Sequence, residues 1–154
     1  LVAYAVTNLG AFGVLAALAT NDRPHDDVRD FAGLGRERPG LAAMMTVFLL
    51  SLGGFPPTVG FIAKWYIFGA AVQANLIPLA VLGVLTSVIS VFFYLRIVVM
   101  MYMTPADVDG RLPLPAVPQI AGAAIVLSAL LVLYLGVLPT RVLEWAAASI
   151  GGII

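Results

Sequence analysis

The sequence predicts an all-α integral membrane protein of about five transmembrane helices, at 1–19, 39–54, 57–74, 76–103 and 119–138. Composition is the first reason. Hydrophobic residues make up 62% of the 154-residue chain and charged residues only 10%, against about 25% charge in a soluble domain, and mean hydropathy is +1.05. The second reason is placement: every charge except Lys64 and Arg96 falls between or after the apolar runs. The third is a stretch from Leu41 to Asn75 that is almost wholly apolar, is interrupted at Gly53-Gly54-Phe55-Pro56-Pro57 and carries one charge, Lys64.

That stretch sets the reading of the rest. As continuous helix its length would be about 52 Å, too long for one simple span of a bilayer core about 30 Å thick and barely enough for two. Glycine admits unusual dihedrals and each proline removes a backbone donor, so the interruption predicts two short helices, 39–54 and 57–74. Lys64 then lies about 10 Å past Pro57, well inside the membrane, where an ionisable group marks function by default. Gly60, Phe61, Lys64, Ile67, Phe68 and Ala71 share its helix face. These apolar neighbours strip water from the ammonium, whereas a nearby carboxylate would favour the charged form. A lysine alternating between such surroundings is a proton-transfer element. The alternative is a lysine paired permanently with an acid from another segment, serving assembly alone. No acid lies inside any of the apolar runs, so a carboxylate partner must come from elsewhere.

The remaining elements follow in order. Residues 1–19 form the first span, with Thr7 and Asn8 mid-helix and Gly10 and Gly13 after them. Small and polar residues of this kind serve helix packing, or else Thr7 and Asn8 border a hydrated path. Residues 20–40 form a polar loop with four arginines and five acids. Arg36 and Arg38, just before the next helix, favour a cytoplasmic side. His25 beside Asp26 and Asp27 reads as solvated charge rather than a metal cluster. In 76–103, Leu76 to Leu95 is one crossing, which leaves Arg96 to snorkel at an interface. Thr86, Ser87, Ser90 and Tyr94 recur at helical spacing, with Ser87, Ser90 and Tyr94 on one face. Such a stripe faces protein or water rather than lipid, as part of a proton path near Lys64 or as interhelical hydrogen bonds. A proline-rich connector fills 104–118, the last span is 119–138, and Pro139 stops it. The tail 139–154 rests at the interface with Trp145 as anchor.

Several function classes are excluded. The chain has no cysteine and one histidine, so it cannot by itself ligate an iron–sulfur cluster through four cysteines or a haem through paired histidines. With zero net charge and no basic tract, nothing points to nucleic acid. The chain opens on Leu1 inside an apolar run, without the charged region and cleavage site of a signal peptide. It reads as the C-terminal part of a longer, single membrane domain.

Three segments carry a family resemblance: TNLGAFG at 7–13, RPGLAAMMTVFLLSLGGFPPTVGFIAKWYIF at 38–68 and FFYLRIVVMMYM at 92–103. They resemble the antiporter-like membrane subunits of respiratory complex I, over nearly the whole chain. The resemblance implies the last third of a 14-helix subunit, built from inverted repeats that each contain a discontinuous helix. It implies that Lys64 is the proton carrier of that helix; beside it, the polar residues Ser87, Ser90, Tyr94 and Asn8 are the expected proton path. It also implies a multi-pass subunit of the cell inner (plasma) membrane in an NADH-quinone oxidoreductase, itself without redox cofactor. NADH, FMN, iron–sulfur clusters and quinone would belong to partner subunits. The short tail argues against family members that carry a long lateral helix. The same family includes subunits of multisubunit Na⁺/H⁺ antiporters and membrane hydrogenases, which form the alternative reading. A purely structural membrane subunit is a third, and it predicts that Lys64 can be neutralised without loss of coupling.

Overall fold

The computed structural model describes residues 1–19, 28–105 and 116–140, all helices and their connections with no strand among them. Helix α1 is Val2–Leu18, α2 Leu34–Glu37, α3 Pro39–Gly53, α4 Val59–Gln73, α5 Ile77–Met103 and α6 Gln119–Val137. His25, Asp26 and Asp27, residues 106–115 of the proline-rich connector and the tail from 141, including Trp145, lie outside the described residues. Two helices, α5 and α6, are long and apolar enough to cross a membrane. Helices α1, α3 and α4 are apolar but shorter.

The ends of these helices are written in their sequences. Pro39 begins α3, where a missing N–H costs nothing. At its other end Gly54 takes φ 84°, a left-handed value that glycine adopts without penalty. Phe55 N–H then bonds the Leu50 carbonyl at 2.9 Å and Gly54 N–H the Ser51 carbonyl at 3.0 Å, the paired bonds of a Schellman stop. Helix α4 ends in the same way. Asn75 takes φ 58°, Leu76 N–H bonds the Ala71 carbonyl and Asn75 N–H the Val72 carbonyl, and Pro78 lies in the first turn of α5.

The structure differs from three expectations. Pro57 is not helical, because Thr58 is extended at φ −95°, ψ 157°. Its N–H and hydroxyl both bond the Phe55 carbonyl, closing a turn over 55–58, so α4 starts at Val59. The second half of the polar loop is also structured: a 3₁₀ turn, Val28–Phe31, and α2 occupy residues 28–37. Phe31, Ala32 and Leu34 are buried there, and apolar burial overrides the charged composition. The third difference concerns α3 and α4, each shorter than a helix long enough to cross a membrane by itself. Gly35 lies against Tyr102, Gly53 against Val91 and Phe68 against Gly83. The two helices therefore run end to end along α5, antiparallel to it. Each has 15 residues, about 22 Å of helix, and only in series do they match the 27 residues of α5.

The core lies between α1, α3, α6 and the C-terminal end of α5, with Val14, Phe48, Met101 and Val132 wholly buried. Phe48 lies against Gly10, where a side chain would overlap its ring. Helix α1 runs antiparallel to α3, with Gly10 by Phe48 and Thr7 by Ser51. Large apolar side chains elsewhere point outward, among them Trp65, Leu82, Phe92 and Leu127.

At the junction the first turn of α4 lies alongside the last turn of α3, so closely that a Cβ on Gly60 would overlap the Ser51 carbonyl. Gly69, on the same helix, faces open space. Gly60→Ala should therefore destabilise the protein by about 1–3 kcal/mol, lowering its thermal midpoint in detergent by several degrees. Gly69→Ala should leave the midpoint unchanged or raised.

Candidate functional site

The site forms where α3 stops. The last four carbonyls of a helix have no intrahelical donor, and the Schellman bonds occupy only those of Leu50 and Ser51. The Gly53 carbonyl receives its proton donor from α4: Lys64 Nζ donates to it at 2.9 Å. The ammonium thus sits at the negative end of the α3 dipole, where a cation is stabilised. The lysine stem passes over Gly54, whose absent Cβ leaves room for it. A Cβ there would lie 2.8 Å from Lys64 Cδ and 3.3 Å from Nζ.

Magnitudes show what this contact achieves. A lysine at mid-membrane costs about 2.5–3.5 kcal/mol on insertion scales. A hydrogen bond from a charged donor returns about 1.5–3 kcal/mol. The two are of similar size, so the carbonyl offsets most of what a charge at such a depth costs.

The ammonium borders a cavity of about 380 Å³, room for several water molecules. One wall comes from α5, with Thr86, Ser87, Ser90 and Tyr94. The other comes from α1 and α3, with Tyr4, Thr7 and Ser51. The structure thus gathers Lys64, Ser87, Ser90 and Tyr94 around one space. The Ser90 hydroxyl donates to the Thr86 carbonyl at 2.9 Å and the Thr86 hydroxyl to the Gly83 carbonyl at 3.0 Å. Asn8 is not brought there. Its amide donates to the Tyr4 carbonyl of its own helix at 2.8 Å. Successive residues point about 100° apart on a helix, so when Thr7 faces inward Asn8 cannot. Ser51 was missed by sequence reasoning, although it is the last polar side chain before the Gly-Gly pair. No cluster of three or more metal-ligating side chains occurs among the described residues.

Comparison with known proteins places these features in context. Residues 1–90 match the family model described as NADH:quinone oxidoreductase/Mrp antiporter, transmembrane. NADH-quinone oxidoreductase subunit N of Trichlorobacter lovleyi is 42% identical over 150 residues, covering 97% of this chain and 30% of that protein. Subunit N of Methylococcus capsulatus is 45% identical over 148 residues, covering 96% of this chain and 29% of that protein. Among solved structures, a chain of respiratory complex I from Thermus thermophilus with bound aureothin superposes with a TM-score of 0.77 at 32% identity. The match covers 92% of this chain and 33% of that one. The chain therefore spans about a third of the length of the proteins it matches.

The paired glycines of the junction give a sharp test, because the same substitution one residue apart has different consequences. Gly54→Ala puts a Cβ on a left-handed residue, at about 1–2 kcal/mol, and crowds the Lys64 stem. At Gly53 a Cβ makes only ordinary contacts, 3.4 Å to Phe55 and 3.5 Å to Val91. Thermal midpoints of the two variants should differ by several degrees, with Gly54→Ala the lower.

Proposed function

The chain belongs to the NADH:quinone oxidoreductase/Mrp antiporter membrane family, and on that footing we propose that it is part of subunit N of an NADH-quinone oxidoreductase, moving protons through Lys64. The observation that carries the reading is the Lys64 ammonium on the Gly53 carbonyl, facing a cavity that Ser87, Ser90 and Tyr94 border among apolar side chains. A proton carrier must give up its proton when its surroundings change, and Lys64 is held by a neutral carbonyl rather than by a fixed carboxylate.

On this reading the chain crosses the inner (plasma) membrane four times, α3 and α4 together making one discontinuous crossing. Partner subunits hold NADH, FMN, iron–sulfur clusters and quinone, and this chain contributes no redox group. A charge change driven by the redox reaction reaches Lys64 from outside this segment, since the sequence places no acid in α1, α3, α4, α5 or α6. An approaching positive charge displaces the lysine proton. The proton passes to water in the cavity and along Ser87, Ser90 and Tyr94. Lys64 then recovers a proton from the opposite side and returns to the Gly53 carbonyl. The hydroxyl of Ser87 and its neighbours orients that water without competing for the proton. The names of the relatives favour the redox complex over a cation antiporter of the same family.

Lys64→Ala should reduce NADH-driven proton pumping in membrane vesicles by about 100-fold or more. NADH oxidation with an artificial acceptor, which reports assembly, should remain near normal. Lys64→Arg should do no better, because guanidinium does not release its proton. Normal pumping in Lys64→Ala would assign the lysine to assembly alone.

A further inference from the structure

Two buried hydroxyls have no task in that cycle: Ser51, 1% exposed, and Thr7, 2% exposed. Their proton directions follow from counting. The Thr7 hydroxyl donates to the Ala3 carbonyl at 2.7 Å, which commits its single proton. The 3.3 Å contact between the two hydroxyls therefore has Ser51 as its donor. Ser51 Oγ in turn accepts the Gly60 N–H at 3.2 Å. The result is one directed chain, from Gly60 N–H through Ser51 and Thr7 to the Ala3 carbonyl. Both of its ends are backbone groups that neither release nor take up protons near neutral pH, so it holds position rather than conducting.

What it holds is the first turn of α4. The Gly60 N–H is one of the donors that a helix start leaves without an intrahelical partner. The N-cap residue Thr58 supplies no side-chain cap, because its hydroxyl is turned to the Phe55 carbonyl. Ser51 supplies the cap from the neighbouring helix. Gly60 and Lys64 lie one turn apart on the same face, so fixing Gly60 against Ser51 fixes the offset at which Nζ meets the Gly53 carbonyl. The two helices thus cap each other: α3 caps the start of α4 through Ser51, and α4 caps the end of α3 through Lys64.

We propose that Ser51, oriented by Thr7, is the positioning residue that sets Lys64 on the end of α3. The proposal rests on the reading of Lys64 as proton carrier. The titratable side chains that border the cavity with Lys64 are Tyr4 from α1 and Tyr94 from α5, and α3 and α6 contribute none.

The test uses vesicles containing the whole complex with Ser51→Ala, Thr7→Val, Thr7→Ser and Lys64→Ala, and measures pumping across a pH series beside artificial-acceptor activity. Ser51→Ala should pump about tenfold more slowly, on the scale of one lost positioning hydrogen bond. Its pH of half-maximal pumping should move by about half a unit or more. Thr7→Val, which keeps the shape but removes the hydroxyl, should lose pumping in the same way. Thr7→Ser, which restores the chain, should recover to within about twofold. If Ser51→Ala fails to assemble, the Thr7 pair decides: equal pumping by Thr7→Val and Thr7→Ser overturns the proposal. An unchanged rate and pH profile in Ser51→Ala, with Lys64→Ala inactive, overturns it while leaving the proton-carrier reading intact. Normal pumping by Lys64→Ala removes that reading and this proposal with it.

Discussion

A helix that stops against its neighbours leaves carbonyls without intrahelical donors, and much of this structure is arranged around one of them, that of Gly53. A backbone group left without a partner away from water is costly, so the stop at Gly53 favours a donor. Lys64 is that donor, and it has the converse need, a partner for a partly buried charge. Each removes most of the other's cost. The contact works because both groups belong to the same discontinuous element and are brought together by a five-residue turn.

The sequence around the turn follows from that requirement. Gly54 permits the left-handed stop and the passage of the lysine stem. Gly60 permits α4 to start alongside α3, and the Phe55–Thr58 turn keeps the connection short. Asn75 and Pro78 then reverse the chain so that α5 returns along both halves and places its hydroxyls beside the amine. The proposed proton transfer depends on a partner that does not hold the proton for good. A stronger partner, such as a fixed carboxylate, would hold the proton, whereas no partner would exclude the charge altogether.

Much of this was legible in the sequence, for identifiable reasons. A single lysine in a long apolar stretch and a Gly-Gly/Pro-Pro cluster are composition signals that do not depend on packing. The shared face of Ser87, Ser90 and Tyr94 follows from helical periodicity alone. Hydropathy gives the length of a run and not its direction relative to its neighbours, so the end-to-end stacking of α3 and α4 could not be read. Phe31 and Leu34 were hidden among charges, although they draw residues 28–37 into the core. Thr7 and Asn8 are adjacent, and only the rotation of α1 decides that Thr7 faces Ser51 and Asn8 its own backbone. Ser51 looked like any small residue in a packed helix. Its role comes from a donor on another helix, which sequence does not display.

The most direct measurement is the distance between the Lys64 side-chain nitrogen and the Gly53 carbonyl, by solid-state NMR on the selectively labelled complex in lipid across a pH series. The account predicts hydrogen-bond contact, near the 2.9 Å seen between Nζ and the carbonyl oxygen, while the amine is protonated. It predicts loss of that contact when the amine becomes neutral. A separation that stays the same in both protonation states, or an ammonium held on a carboxylate with the end of α3 left open, would contradict it.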